Sequence, residues 1–382
     1  MEVFGFIQSK NDYCLFMKDV FGGYIALLVY VDDILVTAPT EAHIQEVKMY
    51  LHDLFTIKDL GTAKYFLGIE LARFSHGMLA TQTKYISDII KDAGLIQAKN
   101  TNTPLPTGVK LTSDCGCLLT DPSKYRRLVG RILYLGFTRL DVSHAAQQLS
   151  QYLQHPCQSH WDAAVHLVKY LKRNPATGLF FPFNNSLQLT AFCDVDWAGC
   201  LDTRRSSTGF CIFLGHIPIS WKIKKQATVS KSTAEAEYRS LASTVCELTW
   251  INYLLQDFRV SFPKPIPLFC DNKAAVHITA NPVFHERTKH LEIDCHIVRD
   301  KFKEGFVNPT HICAKDQVAD IFTKPLPGPA FQSMKSKLNL LSLPPRLTCG
   351  GAVKSVEICS FSQQASSTNP ELEVAVVIEK QQ

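Results

Sequence analysis

The sequence has no long uninterrupted apolar run, and its charge is neither abundant nor one-sided. Charged residues make up 20% of the 382 residues, and 40 Lys and Arg against 35 Asp and Glu leave a net charge of +5. So small an excess does not predict a polyanionic partner by itself. The longest apolar stretch is interrupted by Asp32 and Asp33 and is too short to span a membrane.

Cysteine spacing typical of zinc sites is also missing, as is a signal peptide. The 13 cysteines are scattered singly, apart from Cys115 and Cys117, and none forms a C-x-x-C pair. This pattern indicates reduced thiols in an intracellular protein, and we expect a cytoplasmic location. With 46% hydrophobic residues, the chain can bury a large core and is expected to form two or three domains.

Apolar patterns and turn residues divide the chain into four regions. Two early strands are followed by a helix that begins at Thr40, and a polar connection of roughly twenty residues starts near Pro104. Two helices come next, and from about residue 187 strands give way to alternating strands and helices, which predicts a mixed sheet with helices packed on it. We expect boundaries at 1–105, 106–185, 186–330 and 331–382, with the last region largely disordered.

The first candidate site residue ends an apolar strand. In "LQLTAFCDVD", residues 187–196, alternation places Leu189, Ala191 and Cys193 on one face and Asp194 on the other. A charge that follows directly on the apolar residues points toward the rim or face of the sheet. Asp196 shares the parity of Asp194, so spacing alone leaves both candidates open.

A long helix, predicted over residues 234–258, carries a second acid toward the core. Glu237 lies within roughly 40° of the centre of its apolar stripe. Glu235 lies about 120° from that centre and four residues before Arg239, which suits a solvated ion pair. A carboxylate on a packing face must be neutralised by a proton, a cation or a metal, which makes Glu237 the candidate.

Two further acids stand where a strand ends and where a short helix lies. Asp271 follows the strand "PIPLFC", and Asp320 precedes the helix stop at Pro325. Taken alone, Asp271 reads as a helix N-cap and Asp320 as a surface residue. If the four carboxylates converge, however, they repel one another unless hard divalent cations lie between them.

Four blocks of sequence cover residues 186–330 almost continuously: "FCDVDWAGCLDTRRSSTGFCIFLG", "KKQATVSKSTAEAEYRSLA", "LFCDNKAAVHITANPVFHERTKHLEIDCHIVRD" and "HICAKDQVADIFTKPL". Together they resemble the ribonuclease H domain of copia-type LTR retrotransposons. The resemblance implies a mixed five-stranded sheet flanked by helices. It also implies catalytic, metal-binding roles for Asp194, Glu237, Asp271 and Asp320, with two Mg²⁺ ions that Mn²⁺ can replace.

The upstream half resembles the same polyprotein. "YVDDILVT", "KDLGTAKYFLGIELAR" and "YRRLVGRILYLGFTRLDVSHA" are similar to the end of the reverse transcriptase palm, the thumb and the connection to ribonuclease H. The overall expectation is therefore an α/β fold with an α+β region upstream. Asp32 and Asp33 would be the remnant of a polymerase site, because such a site needs a further aspartate from an earlier strand. The alternative, a plain polar turn, is common for an isolated pair of aspartates.

Basic residues around the four acids are candidates for holding an RNA–DNA hybrid, although ordinary solvated faces also look like this. The candidates are Lys222, Lys224, Lys225, Lys231, Arg204, Arg205, Arg287, Lys289 and His290. A second interpretation of the last group is a zinc cluster. Its ligands would be His285, His290, Cys295 and His296, but their spacing matches no familiar pattern.

Together these features predict metal-dependent endonucleolytic hydrolysis of RNA in RNA–DNA hybrids. The expected partners are the hybrid and the remaining Pol or reverse transcriptase segments, and the expected place is the cytoplasm, or a virus-like particle if the element is active. Two alternatives stay open. One is a catalytically inactive nucleic-acid-binding copy, and the other is a nuclease domesticated by the host.

We predict that the purified chain does not polymerise DNA, because its aspartate pair provides only part of a two-metal site. The measurement is incorporation of labelled nucleotide on a primed RNA template. Incorporation above that of an Asp32→Asn, Asp33→Asn control would contradict this prediction.

Overall fold

The computed structural model describes residues 4–114, 116–280, 292–343 and 375–380. They form two compact units, one of residues 4–80, 250–261 and 375–380 and one of residues 81–249 and 262–343. Within these ranges, no helix combines the length and the apolar character needed to cross a membrane.

The helices and strands of the described residues have the following bounds. The strands are β1 Ile7–Gln8, β2 Leu15–Val20, β3 Gly23–Tyr30, β4 Asp33–Thr37, β5 Ile57–Thr62, β6 Tyr65–Phe66, β7 Ile69–Phe74, β8 Gly77–Thr81, β9 Thr177–Pro182, β10 Leu189–Asp196, β11 Ser207–Leu214, β12 Ile217–Lys225, β13 Ile266–Cys270, β14 Val307–His311, β15 Leu340–Ser342 and β16 Ala375–Lys380. The helices are α1 Glu41–Leu54, α2 Thr83–Asp92, α3 Pro122–Tyr134, α4 Ser143–Ser150, α5 Gln158–Arg173, α6 Thr233–Asp257, α7 Lys273–Ala280, α8 Glu292–Lys303, α9 Asp320–Thr323 and α10 Gly328–Ser336.

The first unit is an antiparallel sheet in the order β1-β2-β3-β4-β16-β5, with α1 packed on one face. Thr40 caps α1 as predicted, because its hydroxyl accepts a hydrogen bond from the His43 backbone N–H. Ile44, Val47 and Leu51 are fully buried against the sheet. The helical spacing of these residues is what directs one face of α1 to the core.

Parts of the C-terminal region form regular elements. Residues 331–382 were expected to be largely disordered; within the described residues of this range, α10 and β15 end the second unit and β16 pairs with both β4 and β5. The reason is local apolar alternation: Val376 and Ile378 enter the core beneath α1, while Val377 is buried on the opposite face. Residues 344–374 lie outside the described part of the chain.

The second unit contains the mixed five-stranded sheet that the sequence predicts, in the order β12-β11-β10-β13-β14. The first three strands are antiparallel, and β10, β13 and β14 are parallel to one another. This arrangement confirms the ribonuclease H-like fold class. Since the carboxyl ends of parallel strands meet at one edge, residues after β10 and β13 are brought together.

The predicted connection, residues 106–185, is not a separate unit. Its helices α3, α4 and α5 share one hydrophobic core with α9 and with the sheet face that carries Cys211 and Phe213. The physical reason is that neither layer can bury its apolar face alone. The other sheet face meets α6, where Ser220 donates to Glu247 at 2.8 Å.

A fully buried ion pair lies within this shared core. Arg139 donates to both carboxylate oxygens of Asp141 at 2.9 and 2.8 Å, and Tyr170 and Lys335 complete the contacts to Asp141. Although burial opposes the charge, the Arg139 guanidinium and the Lys335 ammonium hold the pKa of Asp141 well below its usual range. The pair therefore remains ionised in the core.

We predict that Asp141→Ala destabilises the protein by about 3–5 kcal/mol, because it leaves the Arg139 charge buried without its partner. The matched control is Asp316→Ala, which removes an exposed pair with Lys337 and should change stability by less than about 1 kcal/mol. Denaturant unfolding measures both variants. Equal losses of unfolding free energy in the two variants would show that the buried pair stabilises the protein no more than the exposed pair does.

Candidate active site

Asp194 lies near the end of β10, on the sheet face that α9 covers. The residue is 1% exposed. Its Oδ2 accepts a hydrogen bond from the Thr323 hydroxyl, and its Oδ1 lies 3.2 Å from Lys324 Nζ. Burial raises the pKa of Asp194 to about 7, even though the Lys324 ammonium acts in the opposite direction. The charged form of Asp194 therefore depends on a nearby cation.

Glu237 reaches the same place from α6, on the other side of the sheet. It is 5% exposed, and the Cys270 thiol donates to its Oε2 at 3.8 Å. Burial raises the pKa of Glu237 to about 11, and Cys270, Asp194 and Asp271 act in the same direction. At neutral pH Glu237 is thus held as the protonated acid.

Asp271 and Asp320 supply the remaining carboxylates. Asp271 directly follows β13, and it is Asn272 rather than Asp271 that caps α7, by accepting a hydrogen bond from the Ala275 backbone N–H at 3.0 Å. The N-cap interpretation of Asp271 is therefore wrong. Asp320 is the first residue of α9, and its Oδ1 lies 2.7 Å from Lys324 Nζ.

The four predicted acids converge. Carboxylate oxygens of Asp194, Asp271 and Asp320 lie within 4.8 Å of one another, and the ligand atoms of Glu237, Cys270 and Asp271 lie equally close together. Asp271 belongs to both groups and links them. Oxygen ligands at this spacing fit hard divalent cations, and the Lys324 contacts demonstrate that the cluster attracts positive charge.

Glu235, the other acid at the start of α6, takes no part in this cluster. It pairs with Arg239 at 2.9 Å as the helix geometry predicts. The pair is not solvated, however, since Glu235 is only 5% exposed. The difference arises because Glu235 Oε2 also accepts a hydrogen bond from the Lys231 backbone N–H at 2.9 Å, which ties it to the chain that precedes α6.

Several supporting residues were not identified from the sequence. Gly209 faces α9, and a Cβ at this position would lie 2.6 Å from Thr323 Cγ2, so only glycine allows so close an approach. Gln317 is fully buried and donates to the Cys193 carbonyl at 2.9 Å, which fixes the start of α9. The sequence does contain a signal for Lys324 as a partner of Asp320, because the two residues are four positions apart, which is the spacing of helical ion pairs.

The predicted nucleic-acid contacts fall into three sets. Exposed side chains are Arg204, Arg205, Lys222, Lys224 and Lys231. Lys225 is instead half-buried and donates to Cys200 Sγ at 2.9 Å. Residues outside the described part of the chain are Arg287, Lys289 and His290, together with His285 of the zinc alternative.

The two exposed arginines are better placed than the two exposed strand lysines. Arg204 and Arg205 lie in the loop that follows β10, at the sheet end where Asp194 lies. The register of β11 and β12 directs Lys222 and Lys224 to the sheet face opposite the Asp194 side chain.

The first unit places Asp32 and Asp33 at a hairpin between β3 and β4, as predicted. Tyr30 pairs with Asp33 across a two-residue turn in which Val31 has a φ of 52°. Asp33 is also opposite Glu379 of β16. Burial and the charges of Glu379 and Asp32 raise the pKa of Asp33.

Comparison with known proteins relates most of the chain to retrotransposon proteins. A family model described as reverse transcriptase (RNA-dependent DNA polymerase) matches residues 1–107. The retrovirus-related Pol polyprotein from transposon RE2 of Arabidopsis thaliana is 40% identical over 350 residues, which is 92% of this chain but 24% of the polyprotein. The chain therefore spans about a quarter of the length of that relative.

Two shorter relatives are covered more fully. An uncharacterized mitochondrial protein of Arabidopsis thaliana is 44% identical over 59% of this chain and 93% of its own length. A putative transposon Ty5-1 protein of Saccharomyces cerevisiae is 30% identical over 64% of this chain and 80% of its own length. A solved N-terminal RNase H domain from Mycobacterium tuberculosis matches this chain at 12% identity, with a TM-score of 0.27. The match covers 40% of this chain and 98% of the solved chain.

We predict that, in EDTA, stability falls as the pH rises from 7 to 8.5. Glu237, with a pKa of about 11, keeps its proton in the folded protein, whereas the unfolded chain has already lost it. The folded state thus binds more protons than the unfolded chain. The free energy of unfolding therefore falls by up to about 1.4 kcal/mol for each unit that the pH rises. Glu237→Gln should reduce this slope. Thermal unfolding across the pH range measures it, and an unchanged slope would contradict the protonation of Glu237.

Proposed function

Because the chain belongs to the copia-type retrotransposon Pol family, we propose that its five-stranded sheet unit is a ribonuclease H that hydrolyses the RNA strand of RNA–DNA hybrids. The observation that carries this proposal is the convergence of Asp194, Glu237, Asp271 and Asp320. These acids are far apart in the sequence, and no packing requirement explains why four carboxylates, two of them buried, should meet.

The proposed cofactor is a pair of Mg²⁺ ions, with Mn²⁺ as a substitute. Asp194, Asp271 and Asp320 would hold one ion. The carboxylates of Glu237 and Asp271 would hold the other, in a group whose third member is the thiol of Cys270, a poor ligand for Mg²⁺. Bound ions supply an activated water and charge stabilisation at the leaving 3′ oxygen. The protein's own contribution is to keep the four side chains in place, chiefly through Thr323 on Asp194 and through the bond from Gln317 that fixes α9.

The proposed substrate contacts are to phosphates and 2′ hydroxyls, which report shape rather than sequence. Arg204 and Arg205 support this part of the proposal best, because they are exposed in the loop at the acidic end of the sheet. Lys231, also exposed, precedes α6 and Glu237. The remaining Pol segments are proposed partners, since this chain corresponds to 24% of a related polyprotein.

We predict that Asp194→Asn and Glu237→Gln each lower hybrid cleavage at least about a hundredfold, because each removes a cation ligand while leaving the side-chain shape almost unchanged. The assay follows a labelled RNA–DNA hybrid with Mg²⁺ and then with EDTA. Circular dichroism confirms that the variants are folded.

The matched control is Asp196→Asn, two residues further along the same strand. Asp196 belongs to neither ligand group among the described residues, so this variant should keep most of the activity. Full activity of the Asp194 and Glu237 variants would contradict the nuclease assignment. No cleavage by the parent would favour the alternative of a nucleic-acid-binding protein without catalysis.

A further inference from the structure

Lys324 is the cation that the acid cluster contacts directly. Its Nζ lies 3.2 Å from Asp194 Oδ1 and 2.7 Å from Asp320 Oδ1, so one ammonium bridges two of the four acids. Two carboxylates within ion-pair distance favour the charged form of the lysine.

The anchoring of Lys324 differs from that of the acids it bridges. Its backbone is fixed, since its N–H donates to the Asp320 carbonyl at 2.9 Å and the next residue is Pro325. Its side chain, in contrast, is 37% exposed, whereas that of Asp194 is 1% exposed. A long side chain with an exposed path can leave the cluster by a change of rotamer, without movement of α9.

The two residues that Lys324 contacts belong to the same ligand group that was assigned to a divalent ion. Asp194 and Asp320 form this group with Asp271. An ammonium and a divalent cation that are held by the same two carboxylates lie only a few ångströms apart and repel each other. Contact with one cation therefore weakens contact with the other.

We propose, as an extension of the ribonuclease function, that Lys324 is a positioning residue that competes with the divalent ion for Asp194 and Asp320. In the absence of divalent ions the lysine holds the two acids together, and an entering ion must displace it. Lys324 thereby lowers the affinity for the metal while it preserves the arrangement of the ligands.

The test measures Mg²⁺ binding to the full chain by calorimetry, without nucleic acid. Lys324→Met should bind Mg²⁺ roughly tenfold or more tightly than the parent, because the competing charge is gone. Lys324→Arg, which keeps the charge, should stay near the parent. Lys337→Met is the matched control, since Lys337 pairs with exposed Asp316 and lies in neither ligand group, and its Mg²⁺ affinity should not change.

Thermal unfolding provides the second measurement. In EDTA, Lys324→Met should melt at a lower temperature than the parent. When Mg²⁺ is added, the melting temperature of the variant should rise by more than that of the parent. A merely structural lysine would give a different result, because its loss would weaken metal binding together with stability. If Lys324→Met is unfolded in EDTA, refolding upon addition of Mg²⁺ supports the proposal and failure to refold overturns it.

Unchanged or weaker Mg²⁺ binding by Lys324→Met, with normal binding by the parent, would overturn the role of Lys324 and leave the nuclease proposal intact. Absence of Mg²⁺ binding by the parent would overturn both. Cleavage of the hybrid by the parent with Mg²⁺ is scored separately, so the two failures are distinguishable.

Discussion

Mutual repulsion among buried and half-buried carboxylates is the constraint on which the candidate site of the second unit depends. Asp194, Glu237, Asp271 and Asp320 meet at one end of the sheet, where several ionised acids cannot coexist without compensation. The structure meets this constraint in two ways. Glu237 keeps its proton in a buried position, and Lys324 places a positive charge between Asp194 and Asp320.

The fold brings these acids together through elements that are distant in sequence. Two parallel strands, β10 and β13, end side by side, and they bring Asp194 next to Asp271. Glu237 comes from α6 on one face of the sheet, and Asp320 comes from α9 on the other. The close approach of α9 depends on Gly209, where any side chain would collide with Thr323. Asp194, Glu237 and Asp320 thus lie on strands or helices, and Asp271 directly follows a strand.

The sequence predicted the features that repeat at a regular spacing. Local patterns located α1 with its Thr40 cap, a mixed sheet with helices packed on it, and the inward direction of Glu237, because these signals depend only on neighbouring residues. The number of five strands came from the family resemblance. Features that depend on tertiary contacts were missed. The burial of Glu235 results from a bond to the Lys231 backbone, and the order of β16 results from pairing with strands more than three hundred residues earlier. Spacing alone also left Asp194 and Asp196 equivalent, since only the position of α9 distinguishes them.

The most direct test of this account is to locate Mn²⁺ by anomalous diffraction in crystals of the full chain. The account predicts manganese peaks coordinated by oxygens of Asp194, Asp271 and Asp320 and by those of Glu237 and Asp271, with the Lys324 ammonium moved away from Asp194. Crystals in which Lys324 keeps both contacts and no manganese lies among the four acids, at Mn²⁺ concentrations that support hybrid cleavage, would contradict it.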